Sequence, residues 1–515
     1  MSNTRKASAA LSLGKEPLKL SDVVSVAEHH RQVRLDSRAK YLIEEAHVFL
    51  QEKVKSGDVF YGINTGFGLL SNVKIAPKDL EQLQYNLLRS HAVGTGPALE
   101  ERYVRAMLLL RANALAQGHS GVSEKLIEQI LNCLNHGVHP VVPVQGSVGA
   151  SGDLSPLSHL ALVLIGEGEA FFHGRRMSGK KALLSAGLKP IRLGPKEGLA
   201  LINGTQFMTA IGALVFADAQ SLCDVADFAG AMSLEAMKGT PVAFDPDIQK
   251  LRPHPGQIQS AENVLKILTP KGKRSKIAES HEGCGKVQDP YSLRCIPQVH
   301  GASRDVLSFV QGVLEREINA VTDNPLVFPE SGKIISGGNF HGQIVSIAMD
   351  TLAIAMAELA SISEQRLEKL VNPVISGLPA FLTKEGGLNS GYMIVQVAAA
   401  SIVSENKTLC HPASVDSIPT SADKEDHVSM GAWAARKAVS VTENSRRVLS
   451  MELLAATQAL DFLRPLKSSE PIEKIYTEIR NISPRMDQDR SLHPDIEAIE
   501  TWLKKDGLRK AVAWH

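Results

Sequence analysis

The chain has 515 residues, of which 43% are hydrophobic, so it is longer than one ordinary domain and can bury large cores. Its 56 basic and 55 acidic residues give a formal net charge of +1, which excludes recruitment of nucleic acid or an anionic membrane by charge alone. The five cysteines lack paired zinc-type spacing, and their odd number argues against a disulfide framework. Because no signal-peptide core and no run of about 18 apolar residues is found, we expect a soluble, cytoplasmic protein with a small-molecule ligand.

The first part of the chain predicts helices that alternate with loops. Apolar residues at helical spacing indicate helices over residues 37–54, 79–88 and 101–117. Residues 61–68 read Tyr-Gly-Ile-Asn-Thr-Gly-Phe-Gly, which is too rich in glycine for a helix and indicates a loop. It is not a phosphate-binding loop, because the Gly-Lys-Ser/Thr of that motif does not follow it. Residues 171–179 predict a hairpin-like turn.

Two other polar features have a structural explanation. His136 and His139 surround a glycine, have no helical register and lack a third ligand nearby, so we expect loop residues and no metal site. The basic tract 270–276 predicts a solvated loop rather than a nucleic-acid surface.

The second part of the chain is dominated by long runs that are rich in Ala and Leu and almost free of Pro. At 1.5 Å per residue, the longest would span roughly 45 Å, and their broad apolar stripes indicate association within and between subunits. We therefore predict a mainly α protein, with a smaller, loop-rich N-terminal domain over 1–203 and a long-helix bundle over 204–515 that forms the oligomer core. Thr205 is the expected N-cap of the first long helix. The four runs are 206–238, 343–372, 391–410 and 432–463.

The stretch that carries unusual chemistry is Ala150-Ser151-Gly152, which lies between Gly149 and Asp153. Glycine allows a tight turn here, and attack of the Gly152 nitrogen on the Ala150 carbonyl carbon would close a five-membered ring. Loss of two waters would then convert Ser151 into an exocyclic methylidene, an electrophile made from the backbone. A plain turn before a helix is the alternative. A serine nucleophile elbow is disfavoured because Asp153 occupies a position where that motif needs glycine.

The block from Gly146 to Gly168 closely resembles the prosthetic-group segment of the aromatic amino acid ammonia-lyases. The loop at Tyr61 resembles the same family, and four further segments follow in the family's order, up to Met430. The resemblance covers nearly the whole chain. It implies that Ala150-Ser151-Gly152 forms the family's prosthetic group, 4-methylidene-imidazol-5-one (MIO), and that no dissociable cofactor is needed. The four segments are LINGTQ, VQDPYSLRCIPQVHGA, ISGGNFHGQ and HPASVDSIPTSADKEDHVSMG.

The resemblance also implies roles for individual side chains. Tyr61 would remove a proton from the substrate β-carbon, and Arg294 would bind the substrate carboxylate through its planar fork of donors. Polar side chains would position the amine and the electrophile. The implied catalytic residues are Tyr61, Ala150, Ser151, Gly152, Tyr291 and Glu425, and the implied substrate-binding residues are His91, Asn203, Gln288, Arg294 and Phe340.

Two polar positions bear on the choice of substrate. Family members that act on phenylalanine or tyrosine carry an apolar or phenol-binding pair where this chain has Ser90-His91, and a neutral group where it has Glu425. An imidazole and a carboxylate can match a substrate imidazole, whereas burying the acid beside a phenyl ring would be costly. Residues 422–424, Ala-Asp-Lys, depart from the Ala-Asn-Gln of many histidine-specific members, which weakens this assignment.

We therefore expect conversion of L-histidine to trans-urocanate and ammonia by a homotetramer with active sites shared between subunits. One alternative is a tyrosine or phenylalanine ammonia-lyase, and another is an aminomutase that returns the amine to the β-carbon. A third, from a different class of protein, is a helical scaffold with a dead site. The intact Ala150-Ser151-Gly152, Tyr61 and Arg294 argue against a scaffold, which has no need for them.

Overall fold

The structure, a computed structural model, describes residues 9–56 and 58–512. The described residues form 21 α-helices and nine short strands, which confirms the prediction of a mainly α protein. The chain divides into two compact units, each made of three segments. The predicted division at residue 203 stays a prediction. Unit 1 comprises Met1–Leu214, Gln311–Asp350 and Pro412–Arg436, and unit 2 comprises Val215–Val310, Thr351–His411 and Lys437–His515.

Eight helices precede residue 206, and the three predicted for this region are present as α2, α3 and α4. The residues at the helix ends explain two of the boundaries. Asp36 accepts the Arg38 N–H at the start of α2, and Gly137 ends α5 in the left-handed conformation at φ 73°. The eight are α1 (Leu20–Ala27), α2 (Ser37–Lys55), α3 (Leu80–His91), α4 (Glu101–Leu115), α5 (Glu124–His136), α6 (Leu154–Leu164), α7 (Gly179–Ser185) and α8 (Glu197–Ile202).

The strands of the described chain form four small sheets. The pair β1–β2 is parallel, whereas β3–β5, β4–β6–β7 and β8–β9 are antiparallel. The predicted hairpin at 171–179 is the β6–β7 pair, in which Glu169 faces Ser178. The strands are β1 (Leu11–Leu13), β2 (Val33–Leu35), β3 (Thr95–Ala98), β4 (Val138–Pro140), β5 (Pro143–Gln145), β6 (Glu169–Phe172), β7 (Arg175–Ser178), β8 (Leu326–Phe328) and β9 (Lys333–Ile335).

The expectation that His136 and His139 are loop residues is wrong. His136 is the last residue of α5, where its ring contacts the carbonyl of the preceding turn, and His139 lies buried in β4. Their local geometry is therefore regular secondary structure. Within residues 9–56 and 58–512, no group of three His, Cys, Asp or Glu side chains is arranged to hold a metal ion.

The later helices include the four long ones that the sequence predicts, now α9, α15, α17 and α18. The 22-residue α14 was not predicted, because Pro297 and Gly301 interrupt the pattern. Pro297 is its second residue, where a missing N–H costs no helical hydrogen bond. The later helices are α9 (Gln206–Ala236), α10 (Pro246–Leu251), α11 (Pro255–Leu268), α12 (Lys276–Glu279), α13 (Tyr291–Arg294), α14 (Ile296–Glu317), α15 (Gln343–Val371), α16 (Pro373–Ser376), α17 (Met393–Leu409), α18 (Gly431–Asp461), α19 (Glu470–Ile482), α20 (His493–Lys504) and α21 (Gly507–Val512).

Buried ion pairs link the long helices inside unit 2. Arg366 of α15 donates to both carboxylate oxygens of Glu452 in α18, at 2.6 and 2.9 Å. Asp227 of α9 accepts from Arg304 and His300 of α14, at 2.6 and 2.8 Å. Breaking such a pair would leave an uncompensated buried charge, so the network favours one packing of these helices over others.

Two helices of the described chain, α9 and α15, are long and apolar enough to cross a membrane by length and composition alone. Their most apolar windows are 78% and 61% buried within the protein, as is usual for core helices. The five cysteines, all in the described part of the chain, form no disulfides, and Cys133 and Cys223 are buried.

Candidate active site

Unit 1 contains a cavity of about 760 Å³ that brings together five of the residues expected in the site. Tyr61 belongs to the loop after α2, and His91 ends α3. Ser151 precedes α6, Asn203 follows α8, and Glu425 precedes α18. The side chains thus converge from five separate parts of the chain, over a mainly apolar wall.

The Ala150-Ser151-Gly152 stretch lies in a tight loop that only glycine can close. Gly152 has φ +71°, and a Cβ added there would lie 2.3 Å from the Gly204 carbonyl oxygen. The Asp153 N–H donates to this oxygen at 2.7 Å. Ala150 and Gly152 are buried, whereas the partly exposed Ser151 lines the cavity. The Ser151 side chain therefore faces the cavity, while the backbone of the loop is fixed by its hydrogen bond to Gly204.

Asp153 joins this loop to the start of α9. Its Oδ2 accepts the N–H groups of Phe207 and Met208, at 3.1 and 3.0 Å, and so satisfies two donors of the first turn. Burial raises the pKa of Asp153 to about 7. Thr205 occupies the N-cap position, as expected, because it precedes Gln206 and its carbonyl accepts the Thr209 N–H at 2.9 Å. Its hydroxyl, however, donates to Glu317 at 2.5 Å, so the side-chain cap comes from Asp153 in a distant part of the chain.

His91 presents a neutral imidazole to the cavity. Its Nδ1 lies 2.8 Å from the Leu87 carbonyl oxygen one turn earlier in α3, which places the proton on Nδ1 and leaves Nε2 as an acceptor. Burial lowers the pKa of His91, although the charge of Glu425 opposes this shift. His91 is therefore neutral at pH 7.

Glu425 lies against the loop formed by Ala150, Ser151 and Gly152. Its Oε1 accepts the Ser151 hydroxyl at 2.9 Å, across 274 residues of sequence. Its Oε2 accepts the hydroxyls of Thr420 and Ser421, at 2.7 and 2.8 Å. One oxygen is thus held by its own turn, and the other faces the loop that carries Ser151.

Asn203 has one polar atom without a protein partner. Its Nδ2 donates to the Asn324 carbonyl at 3.1 Å, whereas the buried Oδ1 accepts no hydrogen bond from the described residues. Behind it, the fully buried Arg111 donates to the carbonyls of Asn203 and Thr322, at 3.3 and 2.9 Å. Burial lowers the pKa of Arg111 to about 10. Because buried acceptors are almost always paired, Oδ1 is suited to a ligand's N–H.

Tyr61 lies in the glycine-rich loop, which is a loop as predicted. The Gly68 N–H donates to the Tyr61 hydroxyl oxygen at 3.4 Å. The Asn64 side chain fixes the loop, since it accepts the Phe60 N–H at 2.8 Å and donates to the Asp58 carbonyl at 2.7 Å. The phenol oxygen is therefore placed beside a backbone donor.

The other expected residues lie outside this cavity lining. Phe340 belongs to unit 1 and is partly buried. Gln288, Tyr291 and Arg294 belong to unit 2, where the Arg294 guanidinium stacks on the Tyr291 ring at 4.5 Å. Tyr291 is 72% exposed, and the buried Nε of Arg294 has no acceptor in the described part of the chain. Arg294 as a whole is only partly buried, so the exposed part of its guanidinium can reach an external carboxylate.

Sequence reasoning missed several lining residues on α3 and on the turn before Glu425. Leu83, Asn86 and Leu87 line the cavity from the face of α3 that also carries Ser90, which was already considered for substrate choice. Their three- and four-residue spacing is the signal that could have found them, once His91 was placed on the same helix. Ser421, on the turn before Glu425, carries no such pattern.

These features agree with comparisons to known proteins. The sequence profile described as aromatic amino acid lyase matches residues 18–481. The chain belongs to the aromatic amino acid lyase family. The predictions of the family and of its enzyme class, a carbon–nitrogen lyase, are confirmed.

Individual relatives match over almost their whole length. Histidine ammonia-lyase of Anaeromyxobacter sp. (strain K) is 52% identical over 507 residues, covering 97% of this chain and 99% of the relative. Among solved structures, histidine ammonia-lyase from Trypanosoma cruzi superposes with a TM-score of 0.90 at 44% identity, covering 98% of this chain and 95% of that one. Tyrosine aminomutase from Streptomyces globisporus gives a TM-score of 0.93 at 35% identity, with 98% of each chain covered.

Proposed function

We propose that this protein is a histidine ammonia-lyase, which converts L-histidine to trans-urocanate and ammonia. The observation that carries the proposal is the hydrogen bond between Ser151 and Glu425 in a cavity that His91 also lines. The acceptor Nε2 of His91 and the carboxylate of Glu425 are suited to the single N–H of a neutral imidazole or to the two N–H groups of an imidazolium. They are poorly suited to a phenyl ring, which would bury both groups without partners.

The family's prosthetic group fits the residues present. Gly152 is a position where a Cβ would meet the Gly204 carbonyl, and the buried Oδ1 of Asn203 is an unpaired acceptor beside Ser151. Ala150, Ser151 and Gly152 would form the MIO ring, and the Gly204 backbone and Asn203 would hold it. The group supplies an electrophilic methylidene carbon that makes the substrate amine a better leaving group.

The side chains of unit 1 supply the remaining steps. Tyr61, as the phenolate, takes the proton from the substrate β-carbon and becomes the phenol, and the Gly68 N–H holds its oxygen in place. His91 and Glu425 orient the imidazole, and Asn203 Oδ1 accepts a hydrogen bond from the substrate amine.

Residues of unit 2 would complete the site from a neighbouring subunit. Arg294, whose guanidinium is partly exposed, would bind the substrate carboxylate in two hydrogen bonds. Tyr291 and Gln288 would help to position the substrate, and Phe340 of unit 1 would contact it. We further propose a homotetramer with shared sites, located in the cytoplasm. The lack of disulfides among the five cysteines is typical of a reducing compartment and supports this location.

The test is to incubate the purified protein separately with L-histidine, L-tyrosine and L-phenylalanine, and to follow ammonia and the ultraviolet absorbance of the conjugated acid. We expect urocanate from L-histidine and little product from the other two. Coumarate or cinnamate would overturn the choice of histidine, and a β-amino acid would indicate an aminomutase. No product and no modification of Ser151 by borohydride would indicate a dead scaffold.

A further inference from the structure

The turn before Glu425 has an uncommon backbone. Ser421, Ala422 and Asp423 have φ values of 52°, 53° and 61°, so three successive residues with a Cβ adopt the left-handed conformation. Single non-glycine residues there are uncommon, and such a conformation persists only where the surrounding structure fixes it. All three side chains are exposed, so core packing does not fix it.

The turn is fixed by hydrogen bonds that join Thr420 and Ser421 to Glu425. The Thr420 N–H donates to the Glu425 carbonyl at 3.0 Å, and the Glu425 N–H donates back to the Thr420 carbonyl at 3.3 Å. The hydroxyls of Thr420 and Ser421 both donate to Oε2 of the Glu425 carboxylate. The left-handed turn therefore folds these hydroxyls back onto the carboxylate that follows them.

The two oxygens of the Glu425 carboxylate therefore have different hydrogen-bond partners. With Oε2 saturated by two hydroxyl donors, rotation of the carboxylate would break both bonds, so Oε1 stays directed at Ser151. Ser421 and Ala422 also line the cavity, so the turn reaches the site itself. Hydrogen bonds to a charged group are stronger than those between neutral groups, which makes this restraint effective.

We propose that Thr420 and Ser421 are positioning residues that hold the Glu425 carboxylate with one oxygen directed at the electrophile and the substrate imidazole. This inference rests on the proposed function, because it assigns the turn to the same site. The two hydroxyls act through Glu425. Without them the carboxylate is free to rotate, and a smaller fraction of molecules has the productive geometry.

The decisive pair of variants is Thr420→Val and Thr420→Ser. Valine keeps the shape of threonine and removes the hydroxyl, whereas serine keeps the hydroxyl and removes the methyl group. We expect Thr420→Val to lower kcat/KM for L-histidine about tenfold, and Thr420→Ser to stay within about twofold of the original protein. Ser421→Ala should resemble Thr420→Val. The exposed Asp426→Asn, on the other side of Glu425, is the control and should leave kcat/KM unchanged.

Two further readouts separate positioning from damage to the fold. Intact mass spectrometry reports whether each variant still loses the mass of two waters, and thermal unfolding reports stability. We expect both to be unchanged in Thr420→Val. Equal activity of the valine variant and the original protein, or equal losses in the valine and serine variants, would overturn the inference. Absence of histidine deamination by the original protein would instead overturn the proposed function.

Discussion

Under the proposed function, substrate choice depends most directly on His91, whose imidazole is neutral. Its Nδ1 proton is committed to the Leu87 carbonyl, so Nε2 can accept an N–H from a substrate imidazole. Replacing His91 by Leu leaves that N–H without a partner. We expect KM for L-histidine to rise about tenfold or more, with a smaller change in kcat. Steady-state kinetics on L-histidine measure both quantities.

His136 offers a matched control for this prediction. It also ends a helix, and its Nδ1 contacts the carbonyl of Asn132 at 2.9 Å, yet it is exposed and absent from the cavity lining. His136→Leu should therefore leave KM unchanged. If both variants raise KM equally, the effect arises from the helix end, and the role proposed for His91 is wrong.

Gly152 permits a second prediction at this scale. Because a Cβ at this position would meet the Gly204 carbonyl at 2.3 Å, we expect Gly152→Ala to move the loop and block ring formation. Gly174 has the same φ of +71° with no atom within 4 Å of an added Cβ, so Gly174→Ala imposes the strain without the clash. Intact mass spectrometry should show loss of two waters in Gly174→Ala and its absence in Gly152→Ala. The same mass in both variants would contradict the steric argument.

At the residue scale, the sequence predicts which side chains meet in the cavity better than it predicts their hydrogen-bond partners. Ser151, Tyr61 and Glu425 could be chosen because their segments carry recognisable blocks, and the structure places them around one cavity. The Asp153 cap could not be predicted, because its N–H partners lie 54 and 55 residues away. Thr205, next to α9 in sequence, was the natural choice from local rules alone.

At the scale of elements, the contact of Asp153 with the start of α9 gives a prediction about how stability depends on pH. Burial raises the pKa of Asp153 to about 7 from 3.8 in the unfolded chain, so the folded state binds the extra proton between these values. The contribution of Asp153 to stability therefore falls as pH rises from about 4 to about 7. We expect the stability of the original protein relative to Asp153→Asn to be greater at pH 5 than at pH 7, as measured by urea unfolding.

The control is a cap of the same type on the surface. Asp245 is exposed and accepts the Asp247 N–H at 2.8 Å at the start of α10. Asp245→Asn should change stability by a similar small amount at both pH values. A pH-independent difference for Asp153→Asn as well would show that burial does not perturb its carboxyl group.

Elements were predicted well where one pattern governs a long stretch. The runs at 206–238 and 343–372 match α9 and α15 to within two residues, because alanine- and leucine-rich sequence without proline has few other structures to adopt. The 22-residue α14 was missed because Pro297 and Gly301 are usual signs of a break. Proline is compatible with the first turn of a helix, but this explanation applies to Pro297 only once the start of α14 is known.

At the scale of the whole molecule, shared sites would allow two inactive variants to rescue each other. Ser151→Ala would remove the proposed electrophile from unit 1, and Arg294→Met would remove the proposed carboxylate-binding guanidinium from unit 2. In a mixed oligomer, an intact Ser151 from one chain can meet an intact Arg294 from another. We expect co-expression of the two variants to restore part of the activity, up to about a quarter of the original level if subunits mix at random.

Asn203→Ala is the matched partner that should fail. Asn203 and Ser151 line the same cavity of one unit, so every site in a mixture of these two variants carries one defect. Ammonia release by the co-expressed pairs measures the difference. Rescue with neither partner would place Arg294 and Ser151 of a single chain in each site.

The bond between Ser151 and Glu425 also orders events during synthesis on the ribosome. The two residues are separated by 274 positions, and unit 1 takes its last segment from Pro412–Arg436. A nascent chain that has released only its first 400 residues therefore has the loop but lacks the carboxylate that faces it. The cavity around Ser151 is complete only after Glu425 has been synthesised, so products truncated before that residue do not carry a finished pocket.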